Sequence, residues 1–278
     1  MFLRWVALPL LCLCSLPALS QPLTCLNPGP RMALTFDDGP WTRHTADVLD
    51  ILGRHGVRST FFMVGERVSI APSMARRVWE EGNEIGVHTQ HHVSLSKVSV
   101  SKQNLEITQN WEAIQLAVPQ ASIYWWRAPY GDVPKPAPAA IAELGLHHKA
   151  WSIDTNDWRG VSDVDFQNAI FDKARDGAVV LMHEHTPVTR HNLEAVIIAL
   201  QEAGYQLVTV SELKLPACDP SLPATPPTSP SSLTPVPLDE SEGARSPQPV
   251  PGSHLEPAAP SVPIETVPTD QLPRIINY

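Results

Sequence analysis

Residues 32–40 read Met32-Ala33-Leu34-Thr35-Phe36-Asp37-Asp38-Gly39-Pro40, a short β-rich run, then two adjacent carboxylates, then a turn signal. Asp-Gly is turn chemistry. Two neighbouring carboxylates repel one another unless a cation or a retained proton relieves them. A polar turn and a functional site read equally well from this stretch alone. Further β-rich runs lie at 59–64, 84–87, 123–127, 148–153, 178–182 and 206–208. Helical stretches lie between most of them, at 45–55, 72–81, 102–117, 138–144, 165–175 and 192–203. The first of these places Val48, Ile51 and Leu52 on one face. Such alternation predicts βα units around a mainly parallel sheet. With about seven strands, an α/β barrel is expected over an open doubly wound sheet, and its chemistry belongs at the strand C-termini.

The polar residues obey that expectation. After the third run comes Gly86-Val87-His88-Thr89-Gln90-His91-His92, whose His88 and His92 are four apart. That spacing predicts both imidazoles on one side of a helical turn, converging on one point. With one of the two adjacent carboxylates they would form a two-His-one-carboxylate metal face with open positions for water and substrate. The fourth run delivers Arg127-Ala128-Pro129-Tyr130-Gly131, the fifth Asp154-Thr155-Asn156-Asp157-Trp158, and the sixth Leu181-Met182-His183. Each has a plain alternative: a surface Arg, a helix-capping Asp, a core-edge His. Five strand ends carrying such groups together read as an active site. Metal-assisted amide hydrolysis would find all its parts here. These are a carboxylate to take a proton from water, an imidazole to protonate a departing amine, and an N–H aimed at the oxyanion.

TFDDGP, H-T-x-x-H, R-A-P-Y-G, D-T-N-D-W and L-M-H, in this order, resemble the five motifs of the polysaccharide deacetylase family. That family is also known as the NodB homology domain or carbohydrate esterase family four. The resemblance covers nearly all of residues 31–213 and implies a distorted (β/α) barrel of seven or eight strands. Position by position it implies Asp37 as general base, with Arg127 orienting it. Asp38, His88 and His92 would hold one divalent metal, usually zinc, with cobalt or another divalent ion as alternatives. His183 would be the general acid, tuned by Asp157. The N–H of Tyr130 would face the oxyanion, while Trp158 and Leu181 would line the slot for the acetyl methyl. The chain departs mildly from the pattern: Glu184 stands where the family often has Asp, and His185 and His91 are extra imidazoles. The bulky Trp125 and Trp126 are expected in the core or the cleft wall. Chitin, chito-oligosaccharides or peptidoglycan is the expected substrate. An O-acetyl esterase on xylan and a non-catalytic wall-binding protein are the alternatives.

The rest of the chain bounds this reading. Arg4 precedes an apolar run over 5–16, and Ala18-Leu19-Ser20 supplies small residues before Gln21. Residues 1–20 therefore read as a secretory signal peptide, cleaved near Ser20. An extracellular or periplasmic protein follows, with cell-wall association left open. The run is too short and proline-broken for a membrane span, and no other stretch is long and apolar enough to supply one. Cys25 and Cys218 then remain at the edges of a 25–218 domain, a natural disulfide in an oxidising compartment. From Pro216 onward lie 16 of the 29 prolines, which exclude regular helix and sheet, so 219–278 reads as a disordered Pro/Ser/Thr-rich tail. The net charge of −9, without a basic run, argues against a nucleic-acid partner. A monomer is expected.

Overall fold

The computed structural model describes residues 29–215. The signal segment, the tail and the Cys25–Cys218 pairing lie outside the described residues. In chain order the strands are β1 (Arg31–Asp37), β2 (Thr60–Met63), β3 (Glu84–Val87), β4 (Trp125–Trp126), β5 (His147–His148), β6 (Ile153–Asp154), β7 (Ala178–His183) and β8 (Gln206–Leu207). The helices are α1 (His44–Arg54), α2 (Gly65–Ile70), α3 (Pro72–Glu80), α4 (Val100–Ala117), α5 (Ala139–Glu143), α6 (Asp163–Phe171) and α7 (Pro187–Glu202). All strand pairs are parallel, in the order β5-β4-β3-β2-β1-β7-β6. β8 pairs with the start of β1 at Arg31 and Met32, below the point where β2 takes over the same edge at Thr35.

β1 is central and buried at every position, as a parallel strand covered on both faces should be. Its alternation sorts the core. Met32, Leu34 and Phe36 pack outward with α1, α3 and α7 residues such as Leu49, Val78 and Val196. Ala33 faces the opposite way, into a smaller cluster with Phe62, Trp125, Val179 and Val210 inside the curl of the sheet. With a period of two, Thr35 and Asp37 share that inner face. The wide tryptophans before Arg127 are thereby explained: both are buried, Trp126 among the outward core residues and Trp125 inside the curl.

The run at 148–153 is not one strand but two, and the halves end the sheet at opposite edges. His148 pairs with Trp126, and Asp154 pairs with Leu181. Laid flat, seven strands at about 4.8 Å spacing would hold the outer two roughly 29 Å apart. Yet Lys149 N–H donates to Trp126 O and Ser152 N–H to Val179 O, each at 2.9 Å. Three residues of extended chain reach at most about 11 Å. The sheet must curl until its edges nearly meet, and 149–152 bridge the gap. Curling sets every strand's C-terminus around one mouth, and register completes the arrangement. Asp37 is paired directly with His183 across β1 and β7, and Val87 with Trp126 across β3 and β4. His88 and Arg127, one residue further on, therefore emerge side by side.

Candidate active site

Asp37, Asp38, His88, His92, Tyr130, Trp158, Leu181 and His183 line one cavity of about 390 Å³ at that mouth. Arg127 and Asp157 stand behind this lining, each bonded to a residue of it. Trp151, on the bridging segment, and Asp154 complete the wall. The loops that carry these groups are strained. All five non-glycine residues with left-handed backbone among the described residues, Asp38, Thr89, His92, Tyr130 and Asn156, lie in them. Such conformations cost on the order of 1 kcal/mol or more each and persist where the surroundings over-determine them.

Asp38 Oδ1 lies 3.0 Å from His92 Nε2 and 3.4 Å from His88 Nε2. The convergence is achieved differently from the helical turn that the spacing suggested. Residues 88–92 form no helix; Thr89 at φ 63° and His92 at φ 53° fold the loop back on itself. α4 fastens it from behind. Asn110 Oδ1 accepts from His88 N–H at 2.7 Å, and the fully buried Glu106 accepts from His91 N–H at 2.8 Å. Glu106 also takes the His91 ring, at Nδ1, 2.9 Å away, so His91 is turned from the cavity and is no competing ligand.

The donor set fits a divalent cation. His88 Nδ1 donates to Arg127 O at 2.8 Å, which leaves the Nε2 lone pair facing Asp38. Asp38 Oδ1 is buried, and neither imidazole is aligned to hydrogen-bond it. An uncompensated carboxylate oxygen between imidazole nitrogens is what a bound cation would satisfy.

Two carboxylate-centred units flank this trio. Buried Asp37 accepts from Arg127 Nη1 at 2.7 Å through Oδ1, leaving Oδ2 toward His88 Nε2 at 3.7 Å. Arg127 is itself fixed by Thr35 Oγ1 and Lys149 O, both at 2.9 Å, with its guanidinium face 4.0 Å from the Phe62 ring. Opposite, His183 Nδ1 bonds Asp157 Oδ1 at 2.8 Å, and His183 Nε2 looks toward Asp38 Oδ2 at 4.0 Å. Asp157 Oδ2 accepts from His183 N–H at 2.7 Å and from the hydroxyls of Thr186 and Thr189 at 2.9 and 2.6 Å. Burial opposes a charge on His183, but Asp157, with Asp37 and Asp38 beyond, raises its pKa to about 9. At φ 60°, Tyr130 turns its N–H away from the local ladder, and that N–H makes no backbone hydrogen bond among the described residues. Gly131, at φ 69°, lets this turn lie against Trp151, where a Cβ would come within 3.2 Å of the indole.

Glu184, the departure after His183, is fully buried beneath the Asp37-Asp38-Gly39-Pro40 loop. Oε1 accepts from Trp41 N–H at 3.3 Å and from the Thr45 hydroxyl, and a Cβ on Gly39 would fall 1.8 Å from it. Burial pushes its carboxyl up to about 8, so it packs as a neutral acid. Trp151, Glu106, Asn110, Thr186, Thr189 and the support role of Glu184 all escaped the reading of motifs. Only Glu106 and Asn110 left a trace there: polar residues on the same helical stripe as Ile107 and Ile114, where apolar ones are expected.

The sequence matches the polysaccharide deacetylase family profile over residues 27–148. It is 34% identical over 194 residues to a chitooligosaccharide deacetylase of Bradyrhizobium, covering 65% of this chain and 89% of that one. The chain belongs to the polysaccharide deacetylase family. Within the family it is also 38% identical over 186 residues to the peptidoglycan-N-acetylglucosamine deacetylase of Listeria monocytogenes. That match covers 66% of this chain and only 38% of the Listeria protein, so the chain matches well under half of that relative's length. Among solved structures, the peptidoglycan deacetylase PdaC of Bacillus subtilis superposes with a TM-score of 0.63 at 30% identity, covering 67% of this chain and 90% of that one.

Proposed function

We propose that this chain is a metal-dependent hydrolase that removes N-acetyl groups from N-acetylglucosamine residues of peptidoglycan or chito-oligosaccharides. One observation carries the reading. Asp37 with Arg127 and His183 with Asp157 approach the Asp38–His88–His92 trio from two sides of one cavity. The relatives named above, one acting on each glycan, point the same way.

Held by Asp38, His88 and His92, a single divalent cation, with zinc best suited to this nitrogen-and-oxygen set, supplies Lewis acidity toward the acetyl carbonyl and water. Asp37 takes the proton of the attacking water at Oδ2, the oxygen that Arg127 leaves free. Arg127 holds that carboxylate in place through Oδ1. The Tyr130 N–H donates to the oxygen on which negative charge develops, a contact worth roughly 3 kcal/mol where such donors have been deleted in other enzymes. His183, whose raised pKa keeps it protonated at neutral pH, delivers a proton from Nε2 to the departing amine, while Asp157 fixes its ring from the other side. Trp158 and Leu181 enclose the acetyl methyl and exclude water from it.

The location proposed with this activity is extracellular or periplasmic, supported by the apolar run at 5–16 and the small residues before Gln21. Acetate release from chitin oligomers, peptidoglycan and acetylated xylan, each with and without chelator, tests the reading. Chelator-sensitive release from the first two is expected. Release from xylan alone would make the chain an O-acetyl esterase, and no release at all would leave a binding protein.

A further inference from the structure

Two arginines on either side of His183 are not used by the chemistry above. From His183 the rings run outward in contact, His183 to His185 at 5.8 Å between centroids and His185 to Trp41 at 5.6 Å. On Trp41 lies the Arg67 guanidinium, 3.6 Å from the ring centroid. On the other side of His183, the Arg159 guanidinium lies 4.5 Å from the centroid of Trp158, which lines the cavity. Trp41 follows β1 and Trp158 follows β6, and β7 with His183 stands between them.

Neither guanidinium has a hydrogen bond or ion pair from its side chain among the described residues. Other arginines do: Arg54, Arg58, Arg77 and Arg127 all hold carboxylates. Stacking occupies only the face of a guanidinium. Its N–H groups lie in the plane and point outward, in the fork that matches a carboxylate. Three acids of the surrounding elements are already engaged or neutral. Asp157 is held by His183, Asp47 lies 3.8 Å from Arg190, and buried Glu184 packs as the neutral acid. Glu66, next to Arg67 in the chain, forms no ion pair with it among the described residues. In a chain of net charge −9, two cations with no partner for their N–H groups among the described residues, one stack on either side of His183, stand out.

We propose that Arg67 on Trp41 and Arg159 on Trp158 read carboxylates on the glycan, so that the chain selects an acidic N-acetylglucosamine polymer over a neutral one. The inference rests on the deacetylase reading and deepens it. The tryptophans supply sugar-stacking surface and hold each guanidinium flat. The arginines supply a bidentate contact to an acid group on a residue flanking the one deacetylated.

The test compares three substrates of matched length: a neutral chitin oligomer, a peptidoglycan glycan strand with free carboxylates, and that strand with its carboxylates amidated. The wild-type protein should show kcat/KM roughly tenfold higher on the free acid than on the amidated strand, as one charge-assisted contact would give. The preference should fall in high salt, because Arg159 is exposed and Arg67 only partly buried. Arg67→Gln combined with Arg159→Gln should bring the ratio close to one, through KM rather than kcat. The double Lys replacement, which keeps the charge and loses the fork, should keep part of it. Equal wild-type rates on the free-acid and amidated strands would overturn the proposal. So would an unchanged ratio in the double Gln variant, since a merely structural role for the stacks lowers both rates together. Acetate from all three substrates without charge discrimination defeats this inference alone. No acetate from any of them defeats the deacetylase reading and this inference with it.

Discussion

Asp37 and Asp38 are neighbours to which the proposed mechanism gives different tasks, and the backbone separates them. Asp37 is the last residue of β1 and points into the curl toward Arg127, while Asp38, at φ 76°, turns toward the two imidazoles. Asp37→Asn should keep the metal and lose roughly 100-fold or more in rate, the scale of a lost general base. Asp38→Asn should lose the metal. Metal content measured beside turnover decides this, and an emptied site in Asp37→Asn with a full one in Asp38→Asn reverses the assignment. In the proposed mechanism His183 acts only while protonated, so the rate should fall as pH rises through its pKa. With the value raised to about 9, the basic limb belongs near 9, and lower once a cation offsets part of the Asp37–Asp38 field. A pH–rate profile of His183→Ala that kept the same basic limb would remove His183 from the role. Glu184 works through stability. Its folded pKa of about 8 lies above its ordinary 4.5, so between those values the folded state binds the extra proton. Stability from this group is therefore full below about 4.5 and lost as pH rises toward 8. Glu184→Gln should flatten that slope, with a thermal midpoint above wild type at pH 8 and close to it at pH 5. Equal midpoints at both pH values would show that Glu184 is not buried as a neutral acid.

At the scale of elements, the loop of His88 and His92 depends on α4. Residues 88–92 have no regular structure of their own and carry two left-handed residues. Asn110 and Glu106 hold them at His88 N–H, His91 N–H and the His91 ring. Glu106 stays ionised in spite of burial because Lys102 and His91 face it. Glu106→Gln should weaken metal binding about tenfold or more, the usual effect of losing an outer support. Zinc competition titrations read this directly, and unaltered affinity in a folded variant would show that the loop stands without α4. The motif His-x-x-x-His was legible in the sequence, but the reason its imidazoles converge was not. Spacing suggested a helical turn, whereas the fold uses αL residues pinned by a helix that begins eight residues further on.

For the whole molecule, closure of the sheet makes the site. Arg127, just past β4, and Asp37, at the end of β1, are 90 residues apart yet 2.7 Å in contact, because curling brings inner faces together across the mouth. The bridge at 149–152 contributes Trp151 to the cavity and Lys149 O to Arg127. The site residues named above are all among the described residues 29–215, and a chain ending after Cys218 should turn over short soluble oligomers at the full-length rate. A large drop in its thermal midpoint or in kcat would show that residues 219–278 contribute to the fold.

The sequence by itself determined the βα alternation, the barrel class and the strand ends at which chemistry would sit. Those are local: a period of two, a period of 3.6 and turn residues are written into neighbouring positions. It also named the residues that the structure brings together at the candidate site, because their types and order resemble a known family. Tertiary structure alone decided that 147–154 makes two strands on opposite edges, and that Glu106, Asn110, Thr186 and Thr189 hold the site's side chains from behind. It alone placed Trp41 and Arg67 on the wall beside His183. Such contacts join residues distant in the chain, and which of them meet is fixed by the register and curl of the closed sheet, which no local pattern encodes.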